Sequence, residues 1–317
     1  MTSLHPILSS IVIGFVLLVA LVLAITVAFP PHIPGIVAPS GALPVVSHAF
    51  AVNRTNVQQI DAFSNVSLKK LISPVREQER GNVFPMTEDL SYVVIDRGTR
   101  TPPHILSGTT EAIYIVSGTT RVHANGTRVD AAAGQAVFIP KDTVQSIENT
   151  GDSPLVYISL LDPYYTEKAE IKINANATAE VSRDVVPLRL WTRGETDPGV
   201  YFDRLTLYQI ISPTAGKNQG LNVSVSYSWG YVTIPSGGGS LPHSLKSTSE
   251  VIFVISGSAT AKVEDGSFPI GEGDTLYIPP NAVQAVMNTG SGSLEYLSLL
   301  DPYWRPENDV NASKVVN

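Results

Sequence analysis

The chain has 317 residues, no cysteine, and 21 Lys and Arg against 28 Asp and Glu, so its net charge is −7. The absence of cysteine excludes disulfide frameworks, iron–sulfur clusters and thiol nucleophiles. The acidic balance disfavours nucleic acid as a partner, because nucleic-acid-binding surfaces are basic. The first Asp, Glu, Lys or Arg is Arg54, so the N-terminal stretch differs in composition from the rest.

An apolar run, Ile7–Phe29, lies inside this uncharged stretch. As a helix it would be about 35 Å long, and the hydrocarbon core of a bilayer is about 30 Å thick. The prolines from Pro30 onwards end the helix, because proline lacks the N–H that a helix needs. We therefore predict a transmembrane anchor at residues 1–29 and a Pro/Gly linker at 30–47. A cleaved signal peptide and a filament-forming helix are alternatives, but the segment lacks the basic or charged leader typical of them.

The acceptor pattern for N-glycosylation, N-x-S/T, occurs six times after the apolar run, where chance composition gives about two or three. The six residues are Asn53, Asn65, Asn125, Asn176, Asn222 and Asn311. The pattern favours a single-pass membrane glycoprotein whose N-terminus is inside and whose remaining chain is extracellular, bound to the lipid bilayer through Ile7–Phe29. A surface rich in Ser, Thr and Asn would also produce such acceptors by accident. An outward-facing chain without disulfides is more typical of archaeal than of animal proteins.

Two copies of one sequence follow the linker. Residues 98–164 align with residues 237–303 at a constant offset of 139, and 25 of the 67 aligned positions are identical. A repeat of this length indicates tandem globular domains rather than a solenoid. In both copies, short runs rich in Val, Ile, Tyr and Phe alternate with Gly, Pro, Asn and Asp, which predicts an all-β sandwich or barrel. Asn125-Gly126 and Asp265-Gly266 are predicted hairpin turns.

Each copy carries the same two motifs with the same internal spacing. Copy one has Gly98, His104, Leu106, Glu111 and Gly118, then Gly134, Pro140, Asp142, Gln145 and Asn149. Copy two has Gly237, His243, Leu245, Glu250 and Gly257, then Gly273, Pro279, Asn281, Gln284 and Asn288. These motifs resemble those of the cupin family, G-x5-H-x-H-x4-E-x6-G and G-x5-P-x-G-x2-H-x3-N. The resemblance implies a bicupin with small jelly-roll barrels at 48–166 and 187–307, an inter-domain linker at 167–186 and a tail at 308–317.

The residues depart from the metal-binding pattern of the family they resemble. In metal-binding cupins, two histidines of the first motif, the glutamate and a histidine of the second motif converge on one divalent metal. Here the second histidine is replaced by Leu106 or Leu245. The candidate metal ligands that remain are His104, Glu111 and Gln145 in copy one and His243, Glu250 and Gln284 in copy two. One imidazole, one carboxylate and one amide make a poor site, so we expect no cofactor or a weakly held divalent transition metal in each barrel.

Two functions remain open at the level of the sequence, and no catalytic residue is assigned. The first is a membrane-anchored, outward-facing binding or structural protein, or an accessory subunit with protein partners in a membrane or cell-surface assembly. The alternative is a metal-dependent cupin enzyme of the dioxygenase, decarboxylase or sugar isomerase type, in which the six candidate residues are the ligands. Asp162-Pro163 and Asp301-Pro302, which end the copies alike, are predicted to cap the last strand of each barrel.

Overall fold

The computed structural model describes residues 44–173, 187–202 and 204–312. They form 25 strands, one α-helix, α1 (Pro74–Glu79), and three 3₁₀ turns, Arg54–Asn56, Arg193–Glu195 and Pro306–Asn308. The all-β class is therefore confirmed. The predicted anchor Ile7–Phe29 and Asn176 lie outside the described residues. Within the described ranges, no helix is long and apolar enough to cross a membrane.

The strands are short and are numbered in chain order. The first thirteen are β1 (Phe50–Asn53), β2 (Ile60–Phe63), β3 (Val66–Ile72), β4 (Asp89–Ile95), β5 (His104–Leu106), β6 (Thr110–Ser117), β7 (Thr119–Ala124), β8 (Thr127–Ala132), β9 (Gln135–Ile139), β10 (Val144–Asn149), β11 (Leu155–Asp162), β12 (Glu170–Lys172) and β13 (Arg189–Thr192). The others are β14 (Gly199–Tyr201), β15 (Leu205–Ser212), β16 (Leu221–Asn222), β17 (Ser228–Ile234), β18 (His243–Leu245), β19 (Ser249–Ser256), β20 (Ser258–Val263), β21 (Gly266–Gly271), β22 (Asp274–Ile278), β23 (Val283–Asn288), β24 (Leu294–Asp301) and β25 (Asp309–Asn311).

The strands make two barrels, each built from a large and a small sheet. Barrel one has the strand orders β13-β9-β6-β11-β4-β3-β2 and β12-β5-β10-β7-β8. Barrel two has the orders β1-β22-β19-β24-β17-β15-β14, with β16 beside β15, and β21-β20-β23-β18-β25. The predicted linker 167–186 contains β12, and the predicted tail 308–317 contains β25. These two strands pair with β5 and β18, the strands that begin at His104 and His243.

Central strands of the large sheets are apolar on both faces, because both faces are buried. In β6, Ile113 and Ile115 belong to the core inside barrel one. Ala112 and Tyr114 alternate with them and belong to a second core shared with barrel-two residues such as Trp229. Alternation along a strand sends successive side chains to opposite faces. The two barrels therefore pack through the outer faces of their large sheets.

The barrels also exchange strands. β1 precedes barrel one in the chain but pairs with β22 of barrel two, and the Asn53 amide donates to Asp274 Oδ1 at 2.8 Å. β13 precedes barrel two but pairs with β9 of barrel one, where Trp191 is buried. Each large sheet is thus completed by a strand from the segment that leads into the other barrel.

The hairpin-turn predictions have different outcomes. Asn125 and Gly126 connect β7 to β8 with φ angles of 45° and 80°, as the predicted turn requires. In copy two the prediction was wrong by one residue, because Gly266 pairs with Val263 and the turn consists of Glu264 and Asp265. The Glu264 carboxylate accepts from Val283 N, as the Asn125 side chain does from Val144 N. An equivalent hydrogen bond thus holds both turns.

Acidic side chains from both barrels meet where β11 and β24 end. Glu88 is 1% exposed, and its Oε1 accepts from Ser226 Oγ of barrel two at 3.3 Å. Burial, and then the charges of Asp301 and Asp162, raise the pKa of Glu88 well above its usual value. A protonated Glu88 donates to the Asp301 carboxylate. The aspartates at the strand ends therefore contribute to the contact between the barrels, beyond the capping role predicted for them.

Candidate functional site

The candidate residues of barrel one come together on facing strands. In the small sheet, β10 pairs with β5 in a register that places Gln145 opposite His104. Glu111 lies on β6 of the large sheet and faces them across the barrel interior. All three side chains are buried, with His104 and Glu111 each 7% exposed and Gln145 2% exposed. They lie beside a cavity of about 450 Å³, which His104 and Glu111 line.

A continuous hydrogen-bond network joins these side chains. Gln145 Nε2 donates to Glu111 Oε2 at 2.7 Å and lies 3.3 Å from His104 Nε2. Ser159 Oγ on β11 donates to Glu111 Oε1 at 2.7 Å. Each oxygen of the buried carboxylate therefore accepts from a neutral donor, which replaces the water lost on burial.

Barrel two repeats the contacts of the glutamate, but in the described part of the chain no hydrogen bond joins Gln284 to His243. Gln284 Nε2 donates to Glu250 Oε2 at 2.7 Å, and Ser298 Oγ donates to Glu250 Oε1 at 2.6 Å. Among the described residues, however, Gln284 Oε1 is buried without a hydrogen-bond partner. The cavity that these residues line is smaller, about 150 Å³. The two sites therefore share the hydrogen bonds of the glutamate but differ in the hydrogen bonds of the glutamine.

Both histidines are held in one orientation by the backbone. His104 Nδ1 lies 2.8 Å from the carbonyl oxygen of Pro102, and His243 Nδ1 lies 2.8 Å from that of Leu241. A carbonyl only accepts, so Nδ1 carries the proton and Nε2 of the neutral ring is the acceptor. This tautomer turns the Nε2 lone pair of His104 toward Gln145.

Two further pairs of site residues were missed from the sequence. Ser159 and Ser298 hold the glutamates, and Phe63 and Phe202 contact the histidine rings at centroid distances of 6.0 and 5.5 Å. Both pairs are identical at the offset of 139. The same offset reveals the serines inside the aligned repeat and extends the repeat to the phenylalanines before it. Identity between the copies was therefore the signal that would have found them.

The arrangement does not fit a transition-metal centre. Leu106 and Leu245 line the cavities where the family pattern has a second histidine. In the described part of the chain, no three His, Asp or Glu side chains are grouped so that they could hold a metal ion. In barrel one the Gln145 amide nitrogen, a hydrogen-bond donor, bridges Glu111 and His104. A cation bound to both of them would need to occupy the same place.

The buried tyrosines above the glutamates remain protonated. Burial, and secondarily the Glu111 charge, raise the pKa of Tyr157 well above its usual value, and burial and Glu250 do the same for Tyr296. Each tyrosine is the second residue before a network serine, so its side chain shares the interior face of the same strand. Both cavities thus have a neutral phenol in the wall near the carboxylate.

The described glycosylation candidates differ in their surroundings. Asn65 is exposed in the turn between β2 and β3, with φ of 62°. Asn53, Asn125 and Asn222 use their side chains in hydrogen bonds within the protein. Asn311 is exposed on β25. Modification at all six acceptors stays a prediction.

Comparison with known families identifies the domains. The family described as Cupin domain matches residues 91–161 and 230–300. The chain carries two cupin domains. Both matches contain the glutamate and glutamine of one site, so the bicupin recognised from the motifs is confirmed.

Known proteins show the same fold at low sequence identity. The structure of oxalate decarboxylase from Bacillus subtilis at pH 4.6 has a TM-score of 0.64 and 16% identity, covering 84% of this chain and 79% of that one. Another structure of oxalate decarboxylase from Bacillus subtilis has a TM-score of 0.64 and covers 86% and 81%. An uncharacterised protein of Methanocaldococcus jannaschii is 27% identical over 74 residues, which are 23% of this chain and 59% of that relative. These likenesses establish a shared fold and leave the reaction open.

Proposed function

We propose that this bicupin binds a small organic molecule inside each barrel, through the glutamate network and without a resident transition metal. The observation that carries the proposal is the Gln145 amide nitrogen, which donates to Glu111 at 2.7 Å and lies 3.3 Å from His104 Nε2. The neutral amide thereby occupies the position between carboxylate and imidazole, and the adjacent cavity of about 450 Å³ remains for a ligand. Concave sites with a few convergent polar groups are typical of small-molecule binding.

The exposed polar groups of barrel one indicate the character of its ligand. The carboxylate and imidazole of the network are acceptors, so the ligand would contribute hydroxyl or amine donors. Lys70 and Lys172 also line the cavity, together with Glu167 and Glu170. Apolar residues, among them Phe63, complete the lining. The composition suits a polar molecule with a short apolar body.

A second candidate is the metal-dependent cupin enzyme. Two observations support it: the contact of His104 Nδ1 with the Pro102 carbonyl, which leaves Nε2 as the nitrogen for a metal, and the fold shared with oxalate decarboxylase. The fold likeness lends more support to a chemical site than to the predicted structural role at a surface. A metal-dependent enzyme would require the Gln145 amide to rotate so that its oxygen faces the metal. This rotation would remove the hydrogen bond that the amide nitrogen donates to Glu111.

Metal content separates these candidates. We expect the purified chain, expressed with Mn, Fe and Zn supplied, to hold less than about a tenth of an equivalent of any transition metal per barrel. Mass spectrometric metal analysis measures this directly. Near-stoichiometric metal that is lost in the double variant His104→Ala and His243→Ala would contradict the proposal and establish the metal-dependent candidate.

We further propose that Ile7–Phe29 anchors the chain in a membrane, with the N-terminus inside and the barrels extracellular. The support is the length of the apolar run and its lack of charge. We expect the full chain to remain in the membrane pellet through an alkaline carbonate wash. A chain of residues 44–317 is the matched control and should be released. Release of the full chain would contradict the anchor, while protein partners in such a membrane stay a prediction.

A further inference from the structure

Barrel two contains a buried acceptor that the protein does not satisfy. Gln284 is 3% exposed, and its Nε2 donates to Glu250 Oε2 at 2.7 Å. Because a carboxylate accepts, the NH₂ end of the amide must face it, and the carbonyl end must point away. Within the described residues, Gln284 Oε1 then has no partner. An unpaired buried acceptor is costly, so a ligand with an N–H or O–H group would stabilise this site.

The charges around the same cavity favour a cationic donor. Glu250 and Asp309 line it, and none of the described lining residues is Lys or Arg. Glu250 is 9% exposed, and the hydrogen bonds it accepts from the described residues come from the neutral groups of Gln284 and Ser298. A carboxylate out of water without a counter-ion attracts a cation strongly. The cavity of barrel one differs, because both signs of charge line it: Lys70 and Lys172 together with Asp61, Asp89, Glu111, Glu167 and Glu170.

Aromatic and aliphatic side chains form much of the remaining wall. The aromatic lining residues are Tyr201, Phe202, Trp229, Tyr296 and Trp304. Aromatic faces attract organic cations, most strongly where water is excluded. Leu205 and Leu207 offer contact for an alkyl chain. The volume of about 150 Å³ restricts the occupant to a small molecule.

We infer that barrel two binds a small primary or secondary alkylammonium ion. Its N–H groups would donate to Gln284 Oε1, its charge would be attracted by Glu250 and Asp309, and its alkyl chain would contact the aromatic and leucine wall. A quaternary ammonium has the charge but no N–H, and an alcohol has a donor but no charge, so both should bind more weakly. The inference rests on the proposed small-molecule function and names the ligand class of one barrel.

Calorimetric titration with n-propylammonium tests this inference on the full chain. We expect saturable binding at one site, with tetramethylammonium and n-propanol each at least about tenfold weaker, the loss expected for one buried charged hydrogen bond. Gln284→Leu should weaken binding by about tenfold or more. The matched control Gln78→Leu, at an exposed position of α1, should leave the affinity within about twofold.

A second variant provides an independent test in case Gln284→Leu does not fold. Asp309→Asn lies outside the glutamate network and should weaken n-propylammonium binding severalfold, with a smaller effect at high salt. Equal affinity for n-propanol, equal loss in Gln78→Leu, or no binding below about 10 mM would overturn the inference. The proposed function would then stand or fall separately, on the metal content of the protein.

Discussion

Replacing Glu88 by Gln is expected to stabilise the chain at alkaline pH and to leave its stability near pH 5 almost unchanged. Glu88 is buried at the contact between the barrels, and burial and the charges of Asp301 and Asp162 raise its pKa. A group whose pKa is higher in the folded than in the unfolded state favours folding at low pH. That contribution is lost as the pH rises through the pKa that Glu88 has in the folded state. Above this pH, folding must bury an ionised Glu88 beside Asp162 and Asp301.

The glutamine amide retains the donation of protonated Glu88 to Asp301 and cannot ionise. Because an unpaired buried charge is among the most destabilising features a side chain can have, we expect a gain of about 2 kcal/mol at pH 9. In a chain of this size the gain corresponds to a rise in Tm of roughly 5 °C. Thermal unfolding of the two proteins between pH 5 and 9 measures it.

The control is Glu272→Gln, at an exposed position. Its unfolding profile should follow that of the unsubstituted chain at every pH. If the profiles of Glu88→Gln and the unsubstituted chain also run parallel, the buried carboxyl does not carry the proton at neutral pH. The proposed electrostatic contact between the barrels would then be wrong.

Introducing two histidines into barrel one is expected to create a transition-metal site. In Leu106→His combined with Gln145→His, the first imidazole shares the face of β5 with His104, two residues away. The imidazole introduced at position 145 lies opposite His104, because residue 145 of β10 pairs with residue 104 of β5. The substitution also removes the amide that donates to Glu111. Three imidazoles and one carboxylate then face one cavity, a set that divalent transition metals bind well.

We expect the double variant to bind Co²⁺ at least about a hundredfold more tightly than the unsubstituted chain, since each added ligand should contribute a factor of ten or more. The visible absorption of bound Co²⁺ and calorimetric titration both report it. The matched control is Ile105→His with Gln145→His, in which the first imidazole is on the opposite face of β5. Equal affinities in the two double variants would show that the interior of barrel one is not arranged as a metal pocket.

The repeat and the fold class could be read from the sequence because they depend on local pattern. Alternating apolar residues, turn residues and the constant spacing of the motifs recur in both copies, so the pairing of His104 with Gln145 is the same as that of His243 with Gln284. The strand exchange could not be read in this way. β1 and β22 are more than 200 residues apart, and no periodicity within β1 states which barrel it joins.

The sequence predicts which residues form the glutamate network, but it does not predict how they are bonded to one another. The motif indicates that Glu111 and Gln145 approach each other, but whether they share a cation or a hydrogen bond depends on the direction of the amide. That direction is decided by Glu111, which accepts from nitrogen, and by Ser159, which comes from a third strand. Identity between the copies also conceals a difference in the network: Gln145 Nε2 lies 3.3 Å from His104 Nε2, whereas the carbonyl oxygen of Gln284 is buried without a partner among the described residues.

The uncharged start, the repeat of 139 residues and the two cupin motifs were determined by the sequence alone, because each is a property of residues in order along the chain. Only the tertiary structure determined which carboxyl groups are buried away from water. Glu88 has Tyr227 at the equivalent position of the second copy, and nothing local distinguishes it from an exposed glutamate. It is buried because two barrels pack on it, and burial of a charge depends on atoms that are distant in sequence and close in space.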